Sequence, residues 1–164
     1  KCEVGRGGYI GFKLNALTDK DIIDALIDAS KSGVVIQLLV RGICCLIPGI
    51  PGKTENISVR SIVGRYLEHS RIYRFGEEEE LYIASADCMT RNTLRRVEVA
   101  VPIWDPENKN RVRKIFDLGF QDTEKGKWLL SDGLYHDPNP MPEERLDSQD
   151  YFYREAYKRA EQGS

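Results

Sequence analysis

The chain has 164 residues, 41% hydrophobic and 30% charged, with a formal net charge of −2. That is the composition of a soluble globular domain, long enough to bury a core without disulfide or metal staples. Bulk charge excludes an obvious nucleic-acid or anionic-membrane binder, and no apolar run approaches the roughly 18 residues of a membrane span.

The opening "KCEVGRGGYIGFKLN" has no initiator Met and no signal peptide. It reads as a cut into a longer protein. "GYIGFKLN" (8–15) is expected to form a strand. In the helix that follows, Thr18 or Asp19 can cap the start. Ile22, Ile23, Leu26, Ile27 and Ala29 share one face, and Gly33 closes the end. "VVIQLLV" (34–40) is continuous, apolar and β-branched, as suits a strand buried on both faces. The three elements make a βαβ unit with a parallel pair.

"RGICCLIPGIPGKTEN" (41–56), with its prolines and glycines, is a loop. "ISVRSIV" (57–63) reads as a strand and "GRYLEH" (64–69) as a short helical turn. "RIYRF" (71–75) and "ELYIAS" (80–85) form two strands around a solvated "GEEEE" turn, and "RRVEVAVPI" (95–103) alternates as another strand. Asp105 before Pro106 starts a helix to about residue 120, with Val112, Ile115, Phe116 and Leu118 on its apolar face. After residue 120, prolines and polar turns suggest an extended strap, with a hairpin at "WLLSDGLY" (128–135). A terminal helix follows, with Tyr151, Phe152 and Tyr157 available to dock. The expected fold is α/β, a mixed sheet with helices on both faces.

The cysteines Cys2, Cys44, Cys45 and Cys88 show no zinc-ligand spacing. They read as reduced thiols with small apolar roles in a cytosolic protein.

Ligands of open α/β sheets bind beyond the carboxyl ends of strands. Arg41 follows such an end, His69 opens the "RIYRF" strand, and Lys13, Arg71 and Arg91 can join them on one cationic rim. Arginine forks match phosphate oxygens, and histidine as a residue type titrates near neutrality and so can carry a proton or a phosphoryl group. The residues alone leave a second reading open. His69 can be an ordinary strand-edge side chain, and each arginine can pair with a carboxylate such as Glu68 or Glu98.

"HSR" places His69 and Arg71 where phospholipase D-like enzymes keep His-x-Lys, and "SAD" places Ser85 and Asp87 near their Ser-x-Asn. The spacing resembles that superfamily, with the Lys altered, Gly76 at the acidic position and one motif copy rather than two. A longer likeness is more specific. "KLNALTDKDIIDALIDASKSGVVIQLLVRGICCLIPG", "TENISVRSIVGRYLEHSRIY" and "YIASADCMTRNTLRRVEVAVPI" occur in order. They resemble the carboxyl-terminal half of bacterial polyphosphate kinases from about residue 8 to about residue 120.

The resemblance implies a phospholipase D-like domain over residues 1–120, with the C-terminal strap and helix of 121–164 packed on it. It implies reversible, Mg²⁺-dependent transfer of the terminal phosphate of ATP to polyphosphate by the full enzyme. The phosphohistidine would lie in a domain absent here. It assigns Arg41 and His69 to the nucleotide phosphates, with His69 as a proton donor or acceptor. Lys13, Arg71 and Arg91 are secondary phosphate contacts on the residue reading. No metal ligand is assigned to this domain. The implied partners are ATP or ADP, polyphosphate and the remaining domains of the same polypeptide, with no nucleic acid. The full enzyme would be a cytoplasmic homo-oligomer with peripheral membrane association. The alternatives are a phospholipase D-like phosphodiesterase acting as a dimer and a non-catalytic polyanion-binding domain.

Overall fold

Helix and strand formation follows local signals closely in the first half of the chain. A computed structural model describes residues 8–76, 80–139 and 141–162. Strand β1 (Tyr9–Leu14) leads to helix α1 (Lys20–Lys31), where the Asp19 side chain accepts from the Ile22 N–H at 3.1 Å. Gly33, with φ of +88°, lets the chain turn back sharply into β2 (Val35–Val40). Strands β3 (Ile57–Ile62), β4 (Arg71–Phe75) and β5 (Glu80–Ala84) fall where expected. Asp105 caps α3 (Pro106–Gln121), accepting from the Asn108 N–H at 2.8 Å. Cys2, expected as a reduced thiol, and Glu77, Glu78 and Glu79 of the expected turn lie outside the described residues.

Three expectations are corrected. Residues 64–69 form no helical turn. Gln149 takes the backbone bonds of Tyr66, its Oε1 accepting from the N–H and its Nε2 donating to the carbonyl, both at 2.8 Å. The strand expected over 95–103 shrinks to β6 (Ala100–Pro102), and a short helix, α2 (Thr90–Arg95), precedes it. Val97 and Val99 are 98% and 58% exposed, so the alternation there has no core to face.

The hairpin expected at 128–135 is present, and it joins the main sheet. Strand β7 (Gly126–Leu129) pairs antiparallel with β3 and brings β8 (Tyr135–His136) with it. An open β3 edge would leave a row of unpaired N–H and C=O groups. Trp128, 4.3 Å from the Arg60 guanidinium, and buried Leu129 seal that pairing. Finally, on α4 (Ser148–Gln162) only Phe152 of the three expected docking residues is half-buried; Tyr151 and Tyr157 are exposed.

Among the described residues the sheet has eight strands in the order β6-β5-β4-β1-β2-β3-β7-β8. Strands β1, β2 and β3 are mutually parallel, and β4 runs antiparallel to β1. Period-two alternation divides the residues between two faces. Phe12, Leu14, Ile36, Leu38, Val40 and Val59 pack with Leu26 and Ala29 of α1. Ile72 and Leu81 pack on the opposite face with Phe116 of α3. Each such large buried side chain contributes about 1.5–3 kcal/mol. Of the expected thiols, Cys88 is buried in the core, Cys44 is half-buried and Cys45 is exposed. Among the described residues no helix is long and apolar enough to cross a membrane.

Candidate functional site

Parallel pairing brings the carboxyl ends of β1, β2 and β3 to one rim. The register Lys13↔Ile72 and Arg71↔Ala84 adds the start of β4 and the end of β5 to it. The rim therefore gathers Asn15, Arg41, the 63–70 segment, Arg71 and the turn Ser85–Asp87 after β5.

Arg41 is held by its backbone. Its N–H donates to the Leu14 carbonyl at 3.1 Å, and its carbonyl accepts from the Ser61 hydroxyl at 2.9 Å. Among the described residues its guanidinium makes no hydrogen bond or ion pair. It borders an open hollow of about 480 Å³ that is walled by Val63, Gly64, Arg65 and Tyr66. A half-buried arginine with spare donors facing a hollow suits an anion that accepts two parallel bonds.

His69 is exposed, and among the described residues its ring has no partner. Its backbone, by contrast, is anchored on both sides. Just before it, the two Glu68 carboxylate oxygens accept from Gln149 Nε2 and from buried Lys13 Nζ, each at 2.9 Å. Its own carbonyl accepts from Arg71 at 3.2 Å, and Arg71 also pairs with Asp87 at 2.8 Å. Asp87 accepts in turn from the Asn15 N–H at 2.7 Å.

The other rim candidates divide by their partners. Lys13 is 3% exposed and spends its charge on Glu68, while Arg71 spends two nitrogens on Asp87 and His69. Arg91 is exposed on α2, and its side chain has no partner among the described residues. Glu68 pairs with a lysine and Glu98 accepts from Ser85 and Asn92, so neither takes the arginine expected of it. Gln149 had no sequence signal, since it meets Tyr66 across 83 residues. Asp87 was visible only as a misfit in a Ser-x-Asn motif.

Burial works against the Asp87 carboxylate. The Arg71 hydrogen bond and the Asn15 N–H outweigh it and hold the pKa below the ordinary 3.8. A depressed folded value means this contribution is complete above pH 3.8 and is lost as pH falls through the folded value. Asp87→Asn should cost about 2–3 kcal/mol at neutral pH, the worth of a charge-assisted bond. It should also flatten the acid limb, read as urea midpoints between about pH 2 and pH 5.

A second hollow, about 680 Å³, lies between α3 and α4. Of its cations, Lys114 and Arg159 are both paired with Glu155, while Arg111 is exposed. It borders the N-terminal half of α3, which starts at the opposite end of the sheet from the rim.

The family model "Polyphosphate kinase C-terminal domain 2" matches residues 1–149. The polyphosphate kinase of Staphylococcus epidermidis is 50% identical over 159 residues, covering 94% of this chain and 21% of that protein. The Helicobacter pylori enzyme is 48% identical over 151 residues, covering 92% and 22%. The chain thus spans about one fifth of the length of these relatives. The crystal structure of polyphosphate kinase from Porphyromonas gingivalis superposes with a TM-score of 0.89 at 38% identity, covering 97% of this chain and 25% of that one. The phospholipase D family member Nuc from Salmonella typhimurium shares the fold at 17% identity, with a TM-score of 0.59 over 79% of this chain and 86% of its own.

Proposed function

The chain belongs to the polyphosphate kinase family, as its C-terminal domain with a phospholipase D-like fold, and on that premise we propose that its rim grips the phosphates that the full enzyme moves between ATP and polyphosphate. The observation that carries this reading is Arg41, a rim guanidinium with no protein partner among the described residues, on the same rim as an imidazole that is likewise unengaged.

Phosphoryl transfer asks a protein mainly to position the group and to neutralise charge on its oxygens. In this proposal Arg41 forks onto two oxygens of the moving phosphate. The His69 ring donates a hydrogen bond to a phosphate oxygen, or takes the proton from the attacking one. The phosphohistidine would belong to the rest of the polypeptide. Lys13 and Arg71 then serve the reaction by holding the 68–71 backbone. Arg91 is a further exposed cation available for a passing polyanion.

Mg²⁺ would arrive with ATP and would supply charge neutralisation for its phosphates. The rim does not fit a dedicated cage for it. Glu68, Asp87 and Glu98 are spent on protein donors, and among the described residues no group of three His, Cys, Asp or Glu gathers to hold a metal. The full enzyme is proposed to be cytoplasmic, in keeping with its bacterial relatives and with the unbonded thiols of Cys44, Cys45 and Cys88 among the described residues. A homo-oligomer with peripheral membrane association remains part of the proposal through the family alone.

The phosphodiesterase alternative has less support, because Asp87, at the last position of that motif, is sealed against Arg71.

The 164-residue chain alone should bind polyphosphate weakly and with strong salt dependence, and should make none from ATP. Calorimetric titration and a radiolabelled-ATP polymer assay test both points. Synthesis by the isolated chain contradicts the proposal, and binding that survives both Arg41→Ala and His69→Ala favours a plain polyanion-binding domain.

A further inference from the structure

We infer that Gln149, at the start of α4, is a positioning residue for His69, so that the C-terminal helix sets the geometry of the phosphate site; the inference rests on the reading of His69 given above. Gln149 is 6% exposed, and its amide is saturated by one short segment. Oε1 accepts from the Tyr66 N–H at 2.8 Å, while Nε2 donates to the Tyr66 carbonyl at 2.8 Å and to Glu68 at 2.9 Å. A glutamine amide bonded to both backbone groups of one residue fixes that peptide as a neighbouring strand would. Here it does so where the chain has no sheet partner, between the end of β3 and the start of β4.

The clamp lies three residues before an exposed ring with no partner of its own. The place from which the His69 ring reaches out is therefore set mainly by where its backbone is held. Two further features point the same way. Ser148, next to Gln149, is tied through its N–H and its hydroxyl to Asp122, both at 2.7 Å, so the clamp stands on a fixed base. Gly64 leaves room for it: a Cβ there would lie 2.5 Å from Gln149 Oε1 and 2.9 Å from Cδ. The Gly64 backbone is outside the left-handed region, so this glycine serves the close approach rather than a turn.

Reacting groups tolerate little misplacement, and a shift of about 1 Å can cost a hundredfold in rate. The test is a double-mutant cycle in the full-length enzyme, with Gln149→Leu, His69→Ala and the pair assayed for polyphosphate synthesis. Gln149→Leu should lower kcat about ten- to a hundredfold and leave the KM for ATP nearly unchanged. In the His69→Ala background the same change should cost less than about twofold, because the two residues act as one unit. Equal losses in both backgrounds, or no loss in the single variant, overturn the role of Gln149 while leaving the phosphate site standing. A near-normal His69→Ala enzyme overturns the site reading and this inference with it. Should Gln149→Leu fail to fold, Gly64→Ala makes the same comparison. It keeps the glutamine and drives its amide off Tyr66, and it must show the same dependence on His69.

Discussion

Arg41→Ala and His69→Ala should each lower the kcat of the full-length enzyme by about 10²–10³-fold, the usual cost of losing one preorganised donor at a charged transition state. For Arg41 the loss is two parallel charge-assisted bonds to the moving phosphate. Folding should be untouched, because the structural task of Arg41 falls on its N–H and carbonyl, which alanine retains. Its guanidinium has no protein partner among the described residues, so stability should move by less than about 0.5 kcal/mol. Arg41→Lys should fall in between, since lysine restores a charge but not a planar fork. For His69 the backbone anchors on either side stay in place, and only the ring is lost. Steady-state polyphosphate synthesis, with urea midpoints as the folding control, checks both. Near-normal rates in both variants would sink the site assignment.

The largest effect on stability should come from a residue that touches no phosphate. Asp122→Ala is expected to destabilise the chain by roughly 3–5 kcal/mol, the range for stripping a buried charge of its function as a partner. Asp122 has no exposed surface. One carboxylate oxygen accepts from the backbone N–H groups of Glu124, Lys125 and Gly126, at 3.0, 2.7 and 3.1 Å. The other accepts from Ser148. The Glu124 N–H keeps the Leu146 carbonyl at 3.1 Å, but alanine would strand the other four donors, and each orphaned buried group costs about 1–3 kcal/mol before relaxation. The same carboxylate joins the end of α3, the start of β7 and the base of α4. Arg60 braces the junction by donating to the carbonyls of Phe120, Asp122 and Gly126. Urea unfolding of the 164-residue chain measures the loss. A midpoint within 0.5 kcal/mol of the parent, the scale of an ordinary surface change, would show that the junction is not what holds the C-terminal segment. If the junction holds α4, and α4 holds Tyr66, milder Asp122 variants should also lose activity in the full enzyme before they lose the fold.

Local signals in the sequence were sufficient for several features. The capping aspartates Asp19 and Asp105, the β-branched run of β2 and the glycine after α1 act within a few residues of themselves, so each was legible without a fold. The α/β class followed, and so did the positions of Arg41 and His69 at strand ends, because an end is where periodicity stops. Tertiary structure alone decided which groups pair. Whether a basic residue faces solvent or a carboxylate depends on neighbours far along the chain. Lys13 and Glu68 are 55 positions apart by their numbers, and Arg71 meets Asp87 from a different strand connection. The strap became part of the sheet for the same reason: β3 needed an edge partner, and only the assembled molecule shows that β7 is the one. The sequence thus determined what kind of chemistry the rim can offer, through residue types and their spacing. The fold determined which of its cations are left for a phosphate, because an ion pair formed inside the protein withdraws both partners from any ligand.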